Sequence, residues 1–209
     1  MSEPKKRATY QDVLDAPEYK VAEIIGGELR LSPRPDGPAT EVASALLSEL
    51  RFPFGRGRGG PGGWVIVLEP ELHVADEVLV PDLAGWRRER LPVIPDTAFF
   101  SIVPDWVCEV LSKSTERIDR GEKMERYRAM GVKHLWLVHP RMKTVEVYRL
   151  AESGWLRVAM YKDEERSRIE PFEAIELDLA SLWQDLPFPT GAAEPSSEWE
   201  YERSISSAP

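Results

Sequence analysis

The chain has one cysteine, no long apolar run and no excess of positive charge, and each shortage removes a class of protein. With Cys108 alone, no internal disulfide is possible, which fits a reducing, cytoplasmic setting. No apolar stretch approaches the ~20 residues of a membrane-spanning helix. The basic start, MSEPKKRATY, has no apolar segment behind it, so neither a membrane association nor a secretory signal is expected. A net charge of -9 argues against a protein that coats nucleic acid by bulk electrostatics. The three histidines, His73, His134 and His139, are scattered without metal-ligand spacing, and structural roles are expected for them. No internal repeat is visible.

What remains is a chain of 209 residues, 42% apolar and 30% charged, enough for one sizeable core. A single domain over residues 1–188 is expected. From residue 189 the composition turns to Gly, Ala, Pro, Ser and Glu, which predicts a disordered tail over 189–209.

Residues 19–32 read as a hairpin around Gly26-Gly27. Over 39–50, Val42, Leu46, Leu47 and Leu50 form one helical stripe. Residues 51–63 hold six glycines and two prolines and predict a loop. A strand follows over 63–74, interrupted at Pro70, and another over 77–82. Residues 83–104 show little regular pattern. The run 106–112, WVCEVLS, predicts a buried strand with Glu109 inside it. Asp119 and Glu122 resemble a capping box opening a helix that stops at Gly131. Three strands follow over 134–140, 144–150 and 155–161, the first apolar throughout as a central strand is. Residues 175–183 predict a final strand or short helix.

Chemistry concentrates in three residues. Asp82 follows the strand VLV, where a side chain can leave the sheet. Glu109 stands among Trp106, Val107, Cys108, Val110 and Leu111, where an ionised carboxylate is costly unless it is paired or metal-bound. Strand alternation turns Cys108 to the opposite face as a small buried residue. Lys123 shares a helix face with Tyr127 and Met130. Carboxylates suit Mg²⁺, a hard cation that polarises a phosphoryl oxygen and acidifies its water. An adjacent lysine stabilises charge developing on phosphate. Taken singly, each residue also has an ordinary structural reading: a turn aspartate, a paired buried glutamate, a surface lysine with a buried stem. Trp86, Trp136 and Trp155 read as core. Two arginine groups offer phosphate contacts, Arg56 and Arg58 beside Arg51, and Arg87 and Arg88 beside Arg90; each reads equally as a solvated loop.

VPDLAGW (80–86), CEVLSKST (108–115), DRGEKMERY (119–127) and GVKHLWLVHP (131–140) occur in that order. Together with EIIGGELRLSPRP (23–35) and TVEVYRL (144–150), they resemble the Uma-type family of "putative restriction endonucleases" in the PD-(D/E)XK nuclease superfamily. The resemblance spans roughly residues 18–180. It implies an α/β fold with a restriction-endonuclease-like core: a mixed central β-sheet flanked by α-helices, with an N-terminal β-hairpin. It implies that Asp82 and Glu109 hold Mg²⁺, with Mn²⁺ as a substitute. The superfamily lysine normally lies two residues after the glutamate, where this chain has Leu111. The resemblance moves that role to Lys123 in DRGEK, with Lys113 as a rival. It gives Glu28 an auxiliary place at the metal, and Glu23 is a second candidate for it. Members often have proline where Lys113 stands, and a histidine after SPRP that this chain lacks.

The expected function is therefore a Mg²⁺-dependent endonuclease hydrolysing phosphodiester bonds in DNA, acting as a homodimer. The alternative is a catalytically silent binding or scaffold protein on the same fold. A glycosidase using paired carboxylates is a third reading, and would work without metal.

Overall fold

Gly26 and Gly27 turn the chain because both hold positive φ, 62° and 80°, a region that side chains disfavour. In the computed structural model, which describes residues 6–187, a short helix α1 (Tyr10–Leu14) precedes this turn. Strands β1 (Lys20–Ile25) and β2 (Glu28–Pro33) pair antiparallel across it, Ile25 opposite Glu28. The hairpin is the one the sequence predicts. Helix α2 (Gly37–Leu50) then begins where Asp36 accepts the Ala39 N–H at 3.0 Å, and buries Val42, Leu46 and Leu50. The tail expected from residue 189 lies outside the described residues.

The glycine-rich segment is not loop throughout, because Arg51–Gly55 continues α2 as one π-helical turn. Strand β3 (Trp64–Leu68) follows, and β4 (Leu72–Val74) belongs to a different sheet. Glu69, at φ 44°, and Pro70 redirect the chain between them. Strand β5 (Glu77–Leu79) returns beside β4, and Val80–Asp82 carries the chain back to the first sheet.

One expectation fails here. The sequence predicts little regular structure over 83–104, yet β6 (Leu83–Arg87) lies inside the main sheet between β3 and β7 (Trp106–Val110). LAGWR has no β-branched residue, so its propensity is low, and pairing on both sides makes it a strand. Gly85 is required by packing: a Cβ there would meet the Trp106 ring at 3.1 Å and the Trp64 ring at 3.3 Å.

After β7 the chain crosses over through α3 (Glu116–Ile118), a π-helical turn (Asp119–Lys123) and α4 (Met124–Met130). It returns as β8 (His134–His139), parallel to β7, with Cys108 opposite Trp136. Gly131, at φ 81°, closes α4 in the left-handed conformation. Strands β9 (Thr144–Ala151) and β10 (Gly154–Lys162) complete the sheet. Residues 166–183 form β11 (Arg166–Ser167), β12 (Leu177–Asp178) and α5 (Ala180–Trp183), so the last predicted element contains both a strand and a helix.

The result is a mixed six-stranded sheet, β10-β9-β8-β7-β6-β3, and a four-stranded antiparallel sheet, β2-β1-β5-β4. One core lies between the main sheet and α2, α5 and Phe172, where Trp64, Trp106 and Trp136 gather around the Phe172 ring. The other core joins the opposite face to β1, β4, β5 and α4 through Ile25, Leu72, Leu79, Trp86 and Tyr127. Full burial of each such side chain stabilises the fold by about 1.5–3 kcal/mol. Among the described residues no helix is long and apolar enough to cross a membrane.

Candidate active site

The two passages between sheets, Glu69–Pro70 and Val80–Asp82, lie side by side, since the Glu69 N–H donates to the Asp82 carbonyl at 2.8 Å. At this junction the β-strand register sets two acids together. Strand β6 runs antiparallel to β7 with Leu83 opposite Cys108. Asp82 comes one residue before Leu83 and Glu109 one after Cys108, and both carboxylates face one cavity. Cys108 points the other way, into the core under α2. The Val110 N–H donates to Asp82 Oδ2 at 2.6 Å and fixes that side chain against β7.

The crossover closes the site from above. The π-helical turn directs Asp119 and Lys123 inward, both buried. Lys123 Nζ lies 2.9 Å from Glu109 Oε1, 3.1 Å from Glu23 Oε1 and 3.8 Å from Asp119 Oδ1. It also donates to the Val80 carbonyl at 3.1 Å. Glu23, on β1, accepts the Val80 N–H at 2.8 Å. The buried Tyr127 hydroxyl donates to Glu109 Oε1 at 2.5 Å. A cavity of about 50 Å³ opens between these groups, with Glu69, Ser112 and Thr115 also on its wall. A buried water occupies roughly 10–15 Å³ on the same measure, so a few waters or a partly hydrated cation fit.

Acid outnumbers base in this cavity: Glu23, Glu69, Asp82, Glu109 and Asp119 face one lysine. Burial pushes Asp82 up to about 7, only partly offset by the Val110 N–H and Lys123. Burial raises Glu109 well above the usual carboxylate range, against the pull of Lys123. Asp119 is raised by burial as well, against Lys123 and Thr115. Burial works against the Lys123 ammonium, but Glu109, Glu23, Tyr127 and Asp119 hold its pKa well above the ordinary lysine value. Asp82, Glu109, Asp119 and Lys123 all move in one sense. The pocket is short of positive charge and retains protons to supply it.

The structure thus brings Asp82, Glu109 and Lys123 together. Two other sequence candidates lie elsewhere. Glu28, at the turn end of β2, meets Arg30 at 3.1 Å and does not line the cavity; Glu23, its alternative, does. Lys113 is exposed beyond the end of β7. The arginines are also displaced. Asp82 precedes β6 and Arg87 ends it, so the group around Arg87 lies roughly 17 Å along the strand from the acids. Arg87 stacks on Trp64 at 4.1 Å, and Arg88 donates to the Trp64 carbonyl at 3.1 Å. Arg56 and Arg58 are exposed in the loop that leads to the same end of the sheet. None of the three histidines lines the cavity. Trp86 and Trp136 are fully buried; Trp155 is partly buried and donates to the Met124 carbonyl at 2.8 Å.

Asp119 is the residue that sequence reasoning misplaced. It is read there as the cap of a helix, but helical structure starts at Glu116 and Asp119 faces the cavity. The i, i+4 spacing to Lys123, on the face shared with Tyr127, is the signal that finds it.

The donor set suits a hard divalent cation: five carboxylates, surplus negative charge and a small cavity. Among the described residues no three acidic, histidine or cysteine side chains already converge as metal ligands. Lys123 Nζ stands between Glu23 and Glu109 in their place.

A mixed central sheet with helices packed on it defines an α/β protein. A solved structure described as a putative nuclease belonging to DUF820, from Anabaena variabilis ATCC 29413, shares this fold. It has a TM-score of 0.67 at 23% identity, over 85% of this chain and 98% of that one. The profile of the Uma2 family, described as "putative restriction endonuclease", matches residues 7–180. The chain belongs to the Uma2 family. No curated protein matches it.

Proposed function

We propose that the protein is a Mg²⁺-dependent endonuclease acting on DNA. The observation that carries this reading is that Asp82 and Glu109 line one acid-rich cavity, with the Lys123 ammonium 2.9 Å from Glu109. Asp82 and Glu109 would hold the cation, Mn²⁺ serving as well as Mg²⁺, and Glu23 and Asp119 are available behind them. The bound ion supplies Lewis-acid polarisation of a phosphoryl oxygen and a water of lowered pKa. The protein's own contribution is positional. The Val110 N–H orients Asp82, Tyr127 and Lys123 orient Glu109, and Val80 and Glu23 hold Lys123. The Lys123 ammonium, beside Glu109 on the cavity wall, would donate to phosphate oxygens of the substrate.

Relaxation of supercoiled plasmid in Mg²⁺ tests this directly. Cleavage should stop in chelator and in Asp82→Ala, with the far-ultraviolet dichroism of the variant unchanged. Full activity in either condition would sink the reading. Cutting both strands of a duplex takes two such sites, so we also propose a homodimer, which a monomer mass in light scattering would refute.

One observation favours a second reading, a binding protein without turnover: Lys123 already saturates Glu23 and Glu109. Calorimetry with Mn²⁺ separates the two. A catalytic site takes up the ion with release of protons, whereas a lysine-locked site shows no heat.

A further inference from the structure

We propose that a groove bordered by Arg51, Arg56 and Arg58 seats the phosphate backbone of duplex DNA about five base pairs from the cut. The inference rests on the nuclease reading above and adds the surface that holds the substrate.

Local structure gathers these arginines. Helix α2 presents Ser44, Ser48 and Arg51 on its exposed face, at spacings of four and three. The π-helical turn that continues it leads into the glycine loop, which brings Arg56 and Arg58 to the same place. These side chains border one open groove of about 470 Å³. Arg51 and Arg56 also border a second space, of about 500 Å³, which runs along β3 from Trp64 to Leu68. The shared arginines make the two spaces one groove. The glycine loop is folded back on itself and fixed there. Its Arg58 N–H donates to the Phe52 carbonyl at 2.9 Å, and its Gly62 N–H to the Pro53 carbonyl at 2.8 Å. Gly60 packs so closely that a Cβ would meet Pro53 at 2.5 Å.

The charge of this groove is unusual for the chain that carries it. Acidic residues number 36 against 27 basic ones, and arginines elsewhere meet acids: Arg90 on Asp105 at 2.8 Å, Arg120 on Glu146 at 2.6 Å, Arg149 on Glu170 at 3.2 Å. Among the described residues Arg51, Arg56 and Arg58 have no acid partner, and all three are exposed. No acid lines either part of the groove; Glu49 and Glu89, close to these arginines in sequence, lie off both walls. Arg88 shapes the wall by donating to the Gly55 and Trp64 carbonyls at 3.3 and 3.1 Å, and its charge adds to the field without a direct contact to a ligand. Like charges held together without counterions favour a polyanion. Guanidinium groups with exposed serine hydroxyls grip phosphate without reading sequence.

The groove also leads to the acids. Strand β3 is an edge of the main sheet, so the space beside it is open along its length. That space ends at Leu68, and the next residue, Glu69, lines the acidic cavity. From Trp64 to Glu69 the strand covers roughly 17 Å. Nucleotides rise about 3.4 Å along each strand, so phosphates about five nucleotides from the cut fall over the arginines. The separation of Arg56 and Arg58 from Asp82 and Glu109 is then the distance between a flanking contact and the scissile bond.

Fluorescence anisotropy tests this, using the full chain in chelator and a labelled duplex of about 20 base pairs, across about 50–200 mM salt. Combining Arg56→Glu with Arg58→Glu should weaken binding at least tenfold. Arg56→Gln with Arg58→Gln should give a smaller loss, and its slope of log affinity against log salt should be shallower by about 2, one phosphate contact per charge removed. Arg149→Gln with Arg166→Gln removes the same charge from arginines paired with Glu170 and Asp178, and should change binding less than twofold. Thermal melts by dichroism confirm that each variant is folded. An equal loss in the Arg149 and Arg166 variant overturns the proposal, as does a parent protein that binds no duplex at about 50 mM salt. Displacement of the duplex by poly-glutamate at equal charge concentration overturns it in favour of an acidic protein segment. Should the expected pattern appear without plasmid relaxation by the unmodified chain in Mg²⁺, the nuclease reading falls and the groove stands. Relaxation with unaltered duplex binding in the Arg56 and Arg58 variants leaves the nuclease reading and removes the groove.

Discussion

Replacing Asp82 with asparagine should make the protein more stable at pH 8 while removing its response to divalent metal. The carboxyl titrates at about 7 in the folded chain against an ordinary 3.8. A folded-state pKa raised in this way means that the native protein binds the proton more tightly than the unfolded chain. Stability is therefore greatest below about pH 4, declines as the unfolded form ionises alone, and levels off above about pH 7. The interval between the two values corresponds to about 4 kcal/mol of destabilisation at pH 8, as an upper bound. Asp82 is only partly buried, and water reaching its cavity reduces the expected effect to about 2 kcal/mol. Asparagine keeps a side-chain oxygen for the Val110 N–H and deletes the charge. Urea unfolding of both proteins in chelator, at pH 4 and pH 8, reads the difference. The curves should nearly coincide at pH 4, and Asp82→Asn should unfold at higher urea at pH 8 with an unchanged m-value. Added Mg²⁺ should stabilise only the unmodified chain, by mass action on the folded state. A variant less stable than the parent at pH 8, or equally stabilised by Mg²⁺, would refute the reasoning.

Other perturbations probe the same assembly. Lys123→Met leaves Glu23 and Glu109 buried without their cation, and should cost about 3–5 kcal/mol at pH 8 and less at pH 5; Lys113→Met, measured the same way, should stay within about 0.5 kcal/mol of the parent. Tyr127→Phe removes the 2.5 Å bond to Glu109, and chemical denaturation should show a loss of about 1–3 kcal/mol. Gly85→Ala presses a methyl group against the Trp64 and Trp106 rings, and should cost about 1–3 kcal/mol in a thermal melt.

Much of this was legible in the chain, and what was not has physical causes. The hairpin, α2 and β7 to β10 are local events, written in glycine pairs and in periodicities of two and 3.6. Strand β6 is different: LAGWR has Trp86 alone among strand-favouring side chains, and is a strand because neighbours pair on both its edges. Pro70 announced a break, but not that β4 would join another sheet. Asp119 and Glu122 carry the local pattern of a helix start, and only packing shows that the helix began earlier. Glu23 and Glu28 are indistinguishable by type, and their placement depends on where β1 meets Val80. The arginines at the far end of β6 needed the antiparallel β-sheet register to be located at all.

The Glu23 and Lys123 ion pair joins positions about a hundred residues apart. Its consequence lies in the order of synthesis. When the hairpin carrying Glu23 leaves the ribosome, neither Asp82 nor Glu109 exists, and when those two have emerged, Lys123 has not. Strand β8, which flanks β7, comes later still. The last of the cavity's charged groups, Lys123, is made only after about three fifths of the 209 residues, and β8 follows it. A protein built in this order closes its buried ion-pair network late, together with the fold that encloses it.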